Sequence, residues 1–159
     1  MPPAHDPWPA LTDVLNRLRR VRQLRFESRS AAGTGWDGEG RGRVAVHEPD
    51  PGVLVFEEQG HWQAAAPGRE PTAFRNVFRW SAQPSGALRL EHLRRGPEQP
   101  VFLFDMAPTA EGHWREIEAH QCAADRYAAT LVCEGPLLQV RWTIAGPRKR
   151  EAIHYTYGP

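Results

Sequence analysis

Hydrophobic residues recur along this chain at two spacings, and the change between them falls near residue 22. From Pro9 to Arg22 the apolar positions are Leu11, Val14, Leu15, Leu18 and Val21. That spacing puts them on one stripe of an α-helix. Pro7 and Pro9 suit its first turn and the arginines its C-terminal end, which predicts a helix over about 9–22. Everything after it reads in period two, as short β runs between turn signals. The predicted strands are QLRFESRS (23–30), GRVAVHE (42–48), GVLVFEEQ (52–59), FRNVFRW (74–80), ALRLEHLRR (87–95), PVFLFDM (100–106), DRYAATLVCE (125–134), LLQVRWTIA (137–145) and EAIHYTY (151–157). The connections EPDPG, AQPSG, RGPEQP, EGP and AGPRKR carry the Gly, Pro, Asp and Ser of turns. GTGWDGEGRG (33–42) reads as the most flexible stretch. Many short strands with no helix between them make an antiparallel meander. Closing the meander removes its exposed edges. The predicted fold is mainly β: one domain over 1–159, an antiparallel up-and-down barrel of about nine to ten strands with one N-terminal helix at an end.

A barrel of this size encloses room for one small ligand. Its inner face then tolerates Trp, Tyr, His and Arg among aliphatics, because a wet cavity satisfies their polar atoms. In FRNVFRW, Phe74, Asn76, Phe78 and Trp80 fall on one side and Arg75, Val77 and Arg79 on the other; the aromatic side is read as the inner one, with the reverse left open because inward arginines would meet an acidic ligand. Strand 87–95 offers Leu88, Leu90, His92 and Arg94, strand 125–134 Tyr127, Ala129, Leu131 and Cys133, strand 137–145 Leu138, Val140, Trp142 and Ile144, and strand 151–157 Ile153, Tyr155 and Tyr157. Strand 100–106 leaves both faces open, since Phe102, Phe104 and Met106 oppose Val101, Leu103 and Asp105. The candidate ligand-binding residues are Asn76, Trp80, His92, Arg94, Tyr127, Trp142 and Tyr155. An inward Arg94 is costly unless paired. Asp105 and Asp125 are candidate partners, as is an anionic group of a ligand.

Charge narrows the field of partners. The chain carries 20 basic and 19 acidic side chains, a formal +1, so no overall field favours nucleic acid or an anionic membrane. The Arg17–Arg25 cluster reads as a solvated helix end. Cys122 and Cys133 are too far apart along an extended segment to pair, which suits a reducing compartment. The N-terminus has no basic start followed by an apolar run, and no stretch approaches the roughly eighteen apolar residues of a membrane span. The expected location is cytoplasmic.

Motifs for chemistry are sparse. Gly33, Gly35 and Gly38 spell G-x-G-x-x-G, but the segment after them reads as a strand, whereas a dinucleotide loop needs a helix there. His113, His120 and Cys122 fall short of a paired zinc spacing, so no metal is expected. His92, His61 and His154 are the candidates were haem to bind, a minor reading. Cys122 beside His120 resembles no nucleophile signature. Glu57, Glu58, Glu116 and Glu118 read as exposed.

FRNVFRW (74–80), LRLEHLRRGPEQPVFLFDM (88–106), HQCAADRY (120–127) and WTIAGPRKREAIHYTY (142–157) together resemble a bacterial family of small single-domain proteins known as a domain of unknown function, from about residue 20 onward. The order of elements also resembles the calycins, such as lipocalins and fatty-acid-binding proteins. The lipocalin Gly-x-Trp is not formed: Gly35 and Trp36 are adjacent and follow the first strand. The resemblance implies a calycin-like barrel with a cavity and a bound small molecule. The expected function is binding of a partly apolar small molecule with a polar or anionic end; no cofactor is named. The alternatives are an acid/base enzyme (isomerase, cyclase or lyase) using His92, Tyr127 or Asp125 in the same cavity, and an interaction module whose barrel is filled by its own side chains.

Overall fold

The two spacings fold as two kinds of element. The structure, a computed structural model, describes residues 6–31, 37–117, 120–122 and 125–159, with the side chains of 120–122 outside that set. Helix α1 (Trp8–Arg19) is followed by strands β1 (Gln23–Ser30), β2 (Gly38–Asp50), β3 (Val53–Ala64), β4 (Thr72–Ala82), β5 (Leu88–His92), β6 (Val101–Ala110), β7 (His113–Glu116), β8 (His120–Cys122), β9 (Asp125–Glu134), β10 (Leu137–Ala145) and β11 (Arg150–Gly158). Strands from β1 to β7 pair antiparallel in sequence order. Both β7 and β8 pair with β9, at His113–Arg115 and His120–Cys122 respectively, so they lie end to end along one edge of it. β9 pairs with β10, β10 with β11, and β11 with β1. The sheet therefore closes on itself as a ten-strand antiparallel barrel, and closure leaves no free edge along the ring.

Alternation explains the wall. Leu24, Val44, Leu54, Phe56, Phe78, Trp80, Leu88, Leu90, Phe104, Met106, Leu131, Leu138 and Val140 all face inward and are buried. α1 lies across one end. Its stripe Leu11, Val14, Leu15 and Leu18 is buried, each side chain contributing about 1.5–3 kcal/mol on leaving water. Arg19 clamps the helix to the β2–β3 turn, its Nε and Nη2 each donating to Glu48 at 2.8 Å. Glu48 also accepts the Gly52 amide at 3.0 Å, where φ is +78° and glycine suits the turn. Those bonds hold the Glu48 carboxyl down at about 2. Arg17 Nη1 donates to the Gly135 carbonyl in the β9–β10 turn.

Several boundaries differ from expectation, each for a local reason. β2 starts at Gly38, inside the stretch expected to be flexible. A Cβ on Gly40 would sit 2.1 Å from the Phe26 ring, and one on Gly38 2.7 Å from the Trp62 indole. Rings from neighbouring strands fill the space these glycines vacate, so a side-chain-poor segment still forms a strand. HWRE and HQC were not expected as strands; β7 and β8 are short and split by residues 117–119. HQC and DRYAATLVCE are two strands of a hairpin, Cys122 pairing with Asp125. Eight residues along β9 still separate that pair from Cys133, roughly 26 Å, so the two cysteines remain far apart along the backbone. The open question in strand 100–106 is resolved by a bulge. Leu90 pairs with Phe104 but Glu91 pairs with Phe102, leaving Leu103 extra. Phe104 and Met106 point inward, while Phe102 lies outside with Arg89 5.4 Å from its ring centre.

Candidate functional site

The interior has a dry end and a half-exposed end. Near α1 the inward residues are buried, whereas toward the opposite rim Asn76, His92, Tyr127, Trp142, Ile144 and Ile153 are only partly covered. FRNVFRW turns its aromatic face inward, which decides between the two orientations its sequence left open. Phe78 and Trp80 are buried inside, Asn76 lies opposite the inward Glu58, and Arg79 on the outside donates to Glu91 at 3.0 Å.

Aromatic rings connect most of the predicted residues. Trp142 packs edge-on against Phe78 (5.7 Å) and Phe104 (5.6 Å) and lies 5.9 Å from Tyr155. Phe78 carries His92 edge-on at 4.8 Å. Tyr155 stacks on Tyr157 at 5.5 Å, and Phe56 joins Tyr157 to Trp80. Tyr127 stands on the same inner wall, one inward step above Ala129, which is opposite Trp142. So Asn76, Trp80, His92, Tyr127, Trp142 and Tyr155 share the interior.

Arg94 does not. β5 ends at His92, and the chain turns through Leu93 to Gly96, where φ is +91°. The alternation that would have carried Arg94 inward stops there, and its side chain is exposed at the rim. Its expected partners are engaged elsewhere. Asp105 accepts from Arg89 Nε and Nη2 at 2.9 and 3.1 Å on the outer face, and Asp125 lies 4.0 Å from Lys149. The Arg94 amide instead donates to His92 Nδ1 at 2.9 Å. Burial, and then the Arg94 charge, push the His92 pKa down, which suits a neutral ring whose proton is on Nε2. An axial haem ligand normally coordinates through one ring nitrogen and donates from the other. The amide bond to Nδ1 opposes that arrangement at His92. His154 faces outward to Gln139 (2.7 Å), and His61 is exposed. Gly33, Gly35 and the side chains of His120 and Cys122 lie outside the described residues.

The residue that sequence reasoning missed is Glu58. Expected on the surface, it is 0% exposed. Tyr157 donates to its Oε2 at 2.6 Å, across the intervening β1 and β2. Burial raises its carboxyl to about 8, against the opposing effect of the Tyr157 bond, so at neutral pH the group holds a proton. Tyr155 and Tyr157 are likewise pushed well above the ordinary phenol range by burial and by the neighbouring carboxyl. Three buried polar atoms of the interior have no hydrogen-bond partner among the described residues: Glu58 Oε1, Trp80 Nε1 and Trp142 Nε1. Two are donors and the third, on a protonated acid, is acceptor or donor. The period-two set Leu54, Phe56, Glu58, Gly60, Trp62 already carried the signal for Glu58, but its charge argued for solvent.

A family model described as a family of unknown function (DUF6314) matches residues 19–159. The chain belongs to that family. The DUF6314 segment starts at the last residue of α1, so it comprises the barrel rather than the helix that closes it. No curated protein matches the chain. Among the described residues no helix is long and apolar enough to cross a membrane.

Proposed function

We propose that this barrel binds a small, largely apolar molecule entering through the half-exposed end, in the manner of a calycin. The unpartnered buried donors Trp80 Nε1 and Trp142 Nε1, with Glu58 Oε1, carry the reading. Such groups cost about 1–3 kcal/mol each when unsatisfied, and a ligand with polar atoms on an apolar body removes that cost. Most pockets for small molecules pair apolar walls with a few convergent polar groups in this way. Phe78, Trp142 and Tyr155 form the wall, with Asn76, His92 and Tyr127 nearer the rim. Arg94 moves from the inner wall to the mouth, where it meets an anionic end projecting from the barrel. Two cysteines set far apart along the backbone favour the cytoplasm.

A protonated Glu58 bonded to Tyr157 also supports a second reading, an acid/base enzyme with Glu58 as the proton donor in place of His92, Tyr127 or Asp125. Native mass spectrometry of protein purified from its own host, followed by gentle denaturation, tests the binding role. Extra mass that leaves on unfolding is expected. The probe anilinonaphthalene sulfonate, aromatic with one anionic group, is expected to bind saturably at one site, with binding weakened by Trp142→Ala and Arg94→Ala. A bare mass together with no saturable probe binding refutes the proposal.

A further inference from the structure

A second feature lies on the outside of the barrel. β1 to β4 form a concavity of about 1140 Å³ whose lining includes Arg22, Arg41, Arg43, Gln59 and His61, with Glu57 the one acid among its described residues. This is at or above the roughly 300–1,000 Å³ of small-molecule sites. Its floor is bare backbone where Gly42 and Gly60 face each other; a Cβ on either would meet the opposite strand at 2.2 or 1.9 Å. Arg25 extends the cationic set by standing directly opposite Arg41, and Arg75 extends it by standing opposite Gln59.

These arginines are not neutralised by the fold. Arg25, Arg41, Arg43 and Arg75 are exposed. No carboxylate among the described residues comes within the 4.0 Å of an ion pair to any of them. Glu27 and Glu39 border the patch one step along β1 and β2, and Glu57 is beside His47 at 3.6 Å. Like charges directly opposite across a sheet are destabilising, so the Arg25–Arg41 pair is not explained by the fold. Two arginines elsewhere on the outer wall, Arg79 and Arg89, each have a carboxylate at 3.0 Å or less.

We propose that this concave outer face binds a small polyphosphorylated molecule, with Arg25, Arg41, Arg43 and Arg75 holding its phosphates. Guanidinium groups suit phosphate because their donors match its oxygens in pairs. The span from β1 to β4 is three interstrand steps, roughly 14 Å. That length is short enough for long arginine side chains to converge on two or three phosphates of one molecule. It falls short of the roughly six to ten phosphate contacts along which a nucleic-acid binder typically tracks. The bordering acids confine an anion to the concavity. This site is separate from the barrel interior and does not depend on the reading of that interior.

Calorimetric titration with sodium tripolyphosphate at low salt, beside orthophosphate and an oligothymidylate, tests it. Saturable tripolyphosphate binding is expected, stronger than that of orthophosphate and lowered roughly tenfold or more by Arg41→Ala/Arg43→Ala. The exposed Arg126→Ala is expected to leave it unchanged. Should the double variant fail to fold, Arg75→Ala on a neighbouring strand serves, with a several-fold loss expected. No binding by the wild-type protein overturns the proposal. So does an equal loss in Arg126→Ala, which means diffuse attraction. Tighter binding of the oligothymidylate, lost in the double variant, also overturns it and makes the face a nucleic-acid site.

Discussion

Replacing Glu58 with Gln should make the protein more stable above neutral pH and change the shape of its stability profile. Glu58 is fully buried, bonded by Tyr157 through one oxygen, and raised by burial from an ordinary 4.5 to about 8. Below 4.5 the carboxyl is protonated in both folded and unfolded chains and contributes no pH dependence. Between 4.5 and about 8 the unfolded chain has released the proton while the native state keeps it. The native state then binds more protons, so stability falls as pH rises, by about 1.4 kcal/mol per pH unit. Above about 8 both states are ionised and the loss is complete, at roughly 5 kcal/mol over the whole window. The carboxamide of the variant keeps an oxygen to accept the Tyr157 proton and has nothing to ionise. Urea unfolding of both proteins from about pH 5 to 9 reads the effect as a difference, which cancels the contributions of other titrating groups. The two proteins should lie within about 1 kcal/mol of each other near the acid end of that range, diverge up to about pH 8 and hold a constant difference beyond it, with Glu58→Gln the more stable. Parallel profiles across that range would refute the buried, protonated carboxyl.

Two further substitutions test the frame around it. Leu18→Ala, at a fully buried position on the face α1 turns to the barrel end, should cost about 2–5 kcal/mol in denaturant unfolding, and a loss below about 1 kcal/mol would mean the helix does not seal that end. Gly60→Ala places a Cβ 1.9 Å from the Arg41 carbonyl oxygen, a backbone atom that cannot swing away. A loss of about 1–3 kcal/mol or more is expected, read as a lower melting temperature, and an unchanged melting temperature would contradict the close approach of β2 and β3.

Strict alternation with strong β formers was legible to the residue: QLRFESRS, DRYAATLVCE and LLQVRWTIA begin and end as read from the pattern. The two faces of FRNVFRW were legible for the same reason, but alternation alone did not say which of them is inside. What was not legible involved departures from period two or residues whose chemistry argues against their position. Arg94 continued the inward series Leu88, Leu90, His92, and nothing local announced that the strand would end two residues earlier. The Leu103 bulge split Phe102 from Phe104 and Met106, and a one-residue insertion leaves no mark in composition. Gly38 and Gly40 looked like a loop because the rings that cover them, Trp62 and Phe26, come from other strands. Glu58 shared its parity with Phe56 and Trp62, but a carboxylate on that face contradicts the ordinary cost of burying charge.

That cost bears on why the carboxyl is there at all. A buried acid with one oxygen bonded and one unmatched stabilises the fold less than an aliphatic residue of similar size. The surrounding rings fill the dry end of the barrel without needing it, since Phe56, Trp80, Leu54 and Leu90 are already packed to exclusion of solvent. Trp142 repeats the pattern nearer the rim: its ring is held edge-on by Phe78 and Phe104, while its N–H has no partner among the described residues. Packing alone would be as well served by a phenyl ring in place of that indole and an aliphatic side chain in place of the carboxyl. Polar atoms held at a net cost on the inner wall are what the proposed ligand binding would account for. Glu58→Gln and Trp142→Phe remove the ionisable and donor groups while keeping the shape of the side chains, and are therefore expected to leave the fold intact or strengthen it in denaturant unfolding.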